Sequence, residues 1–179
     1  MTTLCYDSPV GQLLVAARDG HIVEISFTEA DTRPKFCRAA QPAGSAASQE
    51  PAAAISPGDT AVAQACIAEL EAYFAGKLKD FTVPIKLTGT DFRKKVWTAL
   101  MNIPYGQTIS YKQLAINIGQ PSAVRAVGGA NNNNPISIIV PCHRVIGADG
   151  ALVGYGGGLG NKEFLLELEK LGLPNFTQQ

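Results

Sequence analysis

Four large apolar residues, Ile136, Ile138, Ile139 and Val140, crowd into five positions directly ahead of Pro141, Cys142, His143 and Arg144. So short a run of branched side chains reads as a buried strand. Pro141 ends it, having no N–H to give to a ladder. The thiol of Cys142 then lies where the strand gives out, at the floor of a pocket. An imidazole beside it can take the thiol proton, and a guanidinium favours the thiolate. A lone buried cysteine would be a small inert hydrophobe, but these neighbours point to a nucleophile.

The chain before this stretch falls into two parts. Residues 4–6, 13–17 and 21–27 read as strands, with turns at 7–11 and 18–20. The Asp19-Gly20 pair between two apolar runs is a hairpin signal, and His21 belongs to that hairpin without a chemical role. Residues 29–58, rich in Ala, Pro, Ser and Gly, read as a long mobile connection. Asp59 or Thr60 is placed to cap a helix running to about residue 75, with Gly76 past its end. Val62, Cys66, Leu70 and Phe74 recur on it at helical spacing.

A second helix is expected from Thr90 or Asp91, with Phe92, Val96, Ala99, Leu100 and Ile103 on its apolar face and a break at Pro104-Tyr105-Gly106. Ser110 caps a third, closed by Gly119. After Gln120-Pro121, Ser122 caps a fourth, running from Ala123 to about Asn131. Two short helices joined by a tight turn make a helix-turn-helix reading. The fourth helix is nearly all small residues, Ala123, Ala126, Gly128, Gly129 and Ala130, from which Arg125 stands out. Glycine costs ~1 kcal/mol in a helix relative to alanine. Close approach to a partner, or close packing inside the protein, would offset that. The four asparagines at 131–134 read as a loop. Beyond a glycine-rich loop at 153–160, which does not fit a phosphate-binding pattern, Asn161 caps a last helix with Phe164, Leu165, Leu168 and Leu171 on one face. By spacing, Glu169 is a solvated carboxylate at the edge of that face.

The 179 residues suffice for one ordinary domain or two small ones. No apolar run approaches the ~20 residues of a membrane span. No basic segment followed by an apolar one opens the chain, so an intracellular, cytoplasmic protein is expected. Cys5, His21, Cys37 and Cys66 lack metal-ligand spacing, so no zinc site is expected. Net charge is zero, yet residues 1–85 hold six Lys and Arg against ten Asp and Glu, and residues 86–179 nine against five. A polyanion would meet the second half.

The string Pro141-Cys142-His143-Arg144-Val145 resembles the active-site signature of the O6-alkylguanine-DNA alkyltransferases. Phe92, Val96 and Trp97, followed by Ile103-Pro104 and Gly106, are similar to another segment of that family, and the likeness runs over residues 90–170. The elements read along the chain give an α+β fold, with a small sheet-plus-helix domain over 1–86 and a mostly helical domain with a helix-turn-helix over 87–179. The resemblance implies single, self-inactivating transfer of an alkyl group from O6-alkylguanine, and from O4-alkylthymine, in double-stranded DNA to Cys142 after base flipping. No cofactor or metal is implied, and a monomer is expected. His143 resembles the base that acts on Cys142 through a water, and Glu169 the carboxylate that orients this histidine. Tyr111 resembles the tyrosine that contacts the flipped guanine and its phosphate, and Arg125 the arginine that fills the gap. Ser122, Ala126 and Gly128 would share the DNA face with them. Asn134 resembles a hinge tying the helix-turn-helix to the site, and Ser137, Val145, Tyr155, Gly156 and Gly157 would line the pocket. Relatives that bind lesions without reacting lack the cysteine. A many-turnover cysteine hydrolase and a helix-turn-helix regulator are the alternatives from other classes.

Overall fold

The computed structural model describes residues 1–28 and 56–172. The expected mobile connection lies almost wholly outside them, as does Cys37.

Strands β1 (Thr2–Ser8), β2 (Gly11–Arg18) and β3 (His21–Phe27) form an antiparallel meander. The β2–β3 turn is the expected Asp19-Gly20 pair. Both residues have positive φ, 53° and 73°, as a tight hairpin turn matched to strand twist demands. The outer edge of β3 is not left open. Ile22 and Ile25 each pair in parallel with a later segment, Ile85 and Ile136. The bonds Ile22 N to Pro84 O (2.8 Å) and Ile25 N to Pro135 O (2.8 Å) fix these joins.

Helix α1 (Pro57–Phe74) crosses the sheet and buries Ala63, Cys66, Leu70 and Tyr73. It begins ahead of both expected caps. Asp59 sits in its first turn, where the carboxylate accepts from Gly20 N at 2.8 Å and pairs with the Met1 ammonium at 3.4 Å. A tertiary bond thus takes the side chain that capping would have used.

Helix α2 (Asp91–Met101) is capped by Thr90, whose hydroxyl accepts from Arg93 N. The short strand β4 (Ile109–Ser110) leads into α3 (Tyr111–Asn117), with Ser110 as its cap. Gly119, at φ 72°, turns the chain. Helix α4 (Val124–Asn132) follows, and Ala123, not Ser122, stands at its cap position. It also absorbs Asn131 and Asn132 from the expected loop, because buried Asn131 has a partner to reach in the site below. Trp97 Nε1 donates to Ala130 O at 2.9 Å and ties α2 to α4. The short strand β5 (Val145–Ile146) pairs in parallel with β4, and α5 (Leu159–Leu171) closes the described fold. Asn161 is no cap, since its amide donates to Val10 O and Gly157 O, each at 2.9 Å. One apolar core runs through both halves, including Leu13, Ile25, Leu70, Trp97, Leu114, Ile136, Val140 and Leu165.

The expected strand over 136–140 does not form. Ile136, Ile138 and Val140 are buried as expected, but the backbone folds back on itself. Val140 N donates to Ile136 O at 3.0 Å, and Ile138 takes φ 75°. Positive φ on a β-branched residue is strained. The strain is held in place by bonds from Asn134 and by burial on both flanks. Apolar periodicity reported where this segment sits, and its hydrogen bonding followed from contacts the pattern does not contain.

Candidate active site

Cys142, His143 and Arg144 form one turn of 3-10 helix between that folded-back segment and β5. All three are buried, Cys142 at 4% exposure and His143 at 0%. Asn134 organises the approach. Its Oδ1 accepts from Ile136 N (3.0 Å), and its Nδ2 lies 2.7 Å from Val140 O and 3.1 Å from Cys142 Sγ. Asn131, at the end of α4, donates to Cys142 O at 3.4 Å. Two asparagines therefore fasten the cysteine to the helix-turn-helix.

Behind the cysteine stands Glu169, wholly buried. Its Oε1 receives His143 Nε2 (2.7 Å), Arg144 Nη2 (2.9 Å) and the Tyr73 hydroxyl (2.8 Å). Its Oε2 receives Arg144 Nε and Gly106 N, both at 2.9 Å. Burial alone would push this carboxyl up. The bonds from His143 and Arg144 outweigh burial and hold it down, from 4.5 to about 2. Burial lowers the His143 titration, against the pull of Glu169. His143 Nδ1 makes no bond among the described residues, so it is free to accept a proton. Burial raises the Cys142 thiol, and Asn134 and Lys162 act in the opposite direction. The resting site therefore holds a neutral thiol with an acceptor beside it.

Two expectations change here. Glu169 is not a solvated edge residue. The buried face of α5 is Lys162, Leu165, Leu166 and Glu169, whereas Phe164 and Leu171 are exposed. And Arg144 does not serve the thiolate directly. Its guanidinium is spent on Glu169 and on Ile103 O (2.6 Å). The cation that acts on the thiol is Lys162, fully buried, with Nζ 2.6 Å from Val145 O and 2.8 Å from Val153 O. Sequence reasoning missed Lys162. Its signal was a charged residue three, four and seven positions before Leu165, Leu166 and Glu169, on a single helical stripe.

Tyr111, first residue of α3, donates to Val153 O (3.1 Å) and Gly154 O (3.3 Å), and its ring lies 5.9 Å from Lys162 Nζ. Tyr155 is 9% exposed, with a hydroxyl that has no partner among the described residues. Its neighbour Gly157 must be glycine for want of space, since a Cβ there would stand 2.4 Å from the Phe27 ring. Gly156 is exposed, Ser137 is half-buried and Val145 is buried. The structure thus brings Tyr111, Asn134, Cys142, His143, Lys162 and Glu169 into one connected cluster. Arg125 lies outside it. It projects from α4 in the company of exposed Ser122 and Ala126, and it makes no hydrogen bond or ion pair among the described residues. Gly128 is half-buried against Tyr111.

A buried cysteine next to an oriented histidine, attached to a helix-turn-helix, defines a class of protein that joins nucleophilic chemistry to a nucleic-acid-binding element. Residues 1–87 match the 6-O-methylguanine DNA methyltransferase ribonuclease-like domain, and residues 91–171 match the DNA binding domain of the same name. A methylated-DNA–protein-cysteine methyltransferase of Mycobacterium leprae is 44% identical over 92% of this chain and 89% of its own. One of Mycobacterium tuberculosis is 45% identical over 94% and 92%. A crystal structure of Mycobacterium tuberculosis OGT in complex with DNA superimposes with a TM-score of 0.77 at 43% identity, over 97% of this chain and 95% of that one. This chain belongs to the methylated-DNA–protein-cysteine methyltransferase family, the O6-alkylguanine-DNA alkyltransferases. Among the described residues no helix is long and apolar enough to cross a membrane.

Proposed function

We propose that this chain repairs duplex DNA by moving an alkyl group from O6 of guanine to Sγ of Cys142, once per molecule. The observation that carries the reading is the bond from Glu169 to His143, whose Nδ1 has no partner among the described residues, on the residue next to the buried Cys142 thiol. In the reaction the thiol proton passes to His143 through a water. Sγ bonds to the alkyl carbon as the bond from that carbon to O6 breaks. The electron pair stays on guanine, which takes up the proton, so no cofactor is needed. A lesion inside a duplex is out of reach of a buried thiol, so the nucleotide is extruded. Tyr111, Ser137, Val145, Tyr155, Gly156 and Gly157 would receive the base, and Lys162 would support the thiolate.

Intact mass after mixing with O6-methylguanine duplex should rise by one methyl per protein, and peptide mapping should place it on Cys142. Cys142→Ala should bind DNA without gaining mass. Continued turnover with an unmodified cysteine would replace this reading with that of a cysteine hydrolase.

The exposed face of α4 suits a duplex. Ser122, Ala126 and Gly129 leave the backbone accessible, and Arg125 is free to fill the place of an extruded base. Arg125→Ala should therefore expose the cost of unstacking, on the order of a few kcal/mol, and slow the reaction with methylated duplex. Reaction with free O6-benzylguanine, which needs no flipping, should change little. Paired single-turnover rates check this, and equal losses on both substrates would return Arg125 to a structural role.

A further inference from the structure

We infer that Tyr73, on α1 in the first half of the chain, is a positioning residue for the reaction: its hydroxyl sets how strongly Glu169 holds His143. The inference rests on the alkyl-transfer reading of Cys142. Tyr73 is fully buried, and its hydroxyl donates to Glu169 Oε1 at 2.8 Å. That is the same oxygen that receives His143 Nε2. Donors on one carboxylate oxygen share its charge, so each weakens the hold on the others.

Tyr73 is built to be a permanent donor. Burial first, and then the Glu169 carboxylate, push its hydroxyl far above the ordinary range, so it stays protonated. Its ring is fixed edge-on against Phe74 and Tyr105, at 5.5 and 6.1 Å, and tilted against Phe81 at 5.4 Å. The other groups facing Glu169 are His143, Arg144, Tyr105 and the Gly106 N–H. Those facing His143 are Glu169, Arg144 and Lys162, together with its sequence neighbour Cys142. Among the described residues, Tyr73 is the one hydrogen-bond donor to Glu169 that comes from the sheet-and-helix half.

Removing the Tyr73 hydroxyl concentrates carboxylate charge on His143. The imidazolium becomes easier to form, and the neutral base is available only at higher pH. A purely structural tyrosine would change stability and leave this titration alone.

The chain has two histidines, and His21 is exposed. It therefore serves as an internal reference in an NMR titration of the imidazole rings. In Tyr73→Phe the His143 titration should move up by about half a pH unit, with His21 unmoved. The acid limb of the single-turnover rate with free O6-benzylguanine should move with it, so that the rate well down that limb falls about threefold while the plateau above it changes little. Tyr105→Phe is the matched control. It deletes a hydroxyl from the same aromatic cluster, one with no partner among the described residues, and should shift neither titration. An unmoved His143 in Tyr73→Phe, or equal movement in Tyr105→Phe, overturns the inference. A wild-type chain that takes no methyl group on Cys142 from O6-methylguanine duplex would sink the alkyl-transfer reading, while the histidine titration would still decide the Tyr73 coupling.

Discussion

Glu169→Ala should lower the melting temperature by about 10 °C and leave no measurable alkyl transfer. Five donors converge on this carboxylate. Without it the Arg144 guanidinium is a buried charge left, among the described residues, with Ile103 O and the face of the Tyr105 ring. Breaking one side of a buried pair costs about 3–5 kcal/mol. For a chain of 179 residues each kcal/mol is worth roughly 2–4 °C. Glu169→Gln separates chemistry from packing. It keeps the shape but presents an NH2 group to donors, and transfer should slow by about ten-fold or more. The sign of the pH dependence follows from the carboxyl falling from 4.5 to about 2 on folding. Its contribution to stability is complete above 4.5 and is lost as pH falls towards 2. Thermal melts of wild type and Glu169→Gln between pH 5 and 2 should converge as the medium becomes acid. Parallel curves across that window would mean that the carboxylate is not held as described.

Lys162→Met should cost the reaction about ten-fold or more at neutral pH, by two routes. Methionine keeps an apolar stem but leaves Val145 O without its Lys162 donor and Val153 O with the Tyr111 hydroxyl alone. An unsatisfied buried carbonyl costs about 1–3 kcal/mol, and the segment carrying Val153 also anchors Tyr111. The second route is electrostatic. Lys162 lowers the Cys142 thiol against the raising effect of burial, so its removal lets the thiol rise further. The rate–pH curve should then move to higher pH, and activity should recover in part on the alkaline side. A rate loss that is uniform across pH would assign Lys162 to the carbonyls alone.

Which parts of this could be read from the sequence depends on how far the deciding contacts lie along the chain. The Asp19-Gly20 turn was legible because positive φ at two adjacent residues is a local demand that few residue pairs meet. The pairing of Cys142 with His143 was legible because they are neighbours. Helix starts at Pro57, Val124 and Leu159 were misplaced where Asp59, Ser122 and Asn161 looked like caps. Asp59 and Asn161 instead answer to Gly20 and Val10, 39 and 151 residues away. The geometry around Glu169 was invisible to spacing for the same reason. Its partners lie 25 to 96 residues earlier, and only the family resemblance pointed to it. Lys162 and Tyr73 had no such pointer. Each is a polar group on an apolar stripe, and the stripe says that a partner exists without saying where.

The position of Glu169 on α5 also has a consequence for timing. The thiol, its histidine and the arginine beside it are all made before the carboxylate that organises them. During synthesis, or in any excursion that undocks α5, His143 has no orienting partner, and Tyr73 and Gly106 have nothing to converge on. Closing contacts over such separations carries a loop-closure penalty that only the finished fold repays. A nascent or partly opened chain therefore carries an ordinary cysteine. In the proposed reaction His143 is thus oriented as a base only in the finished fold.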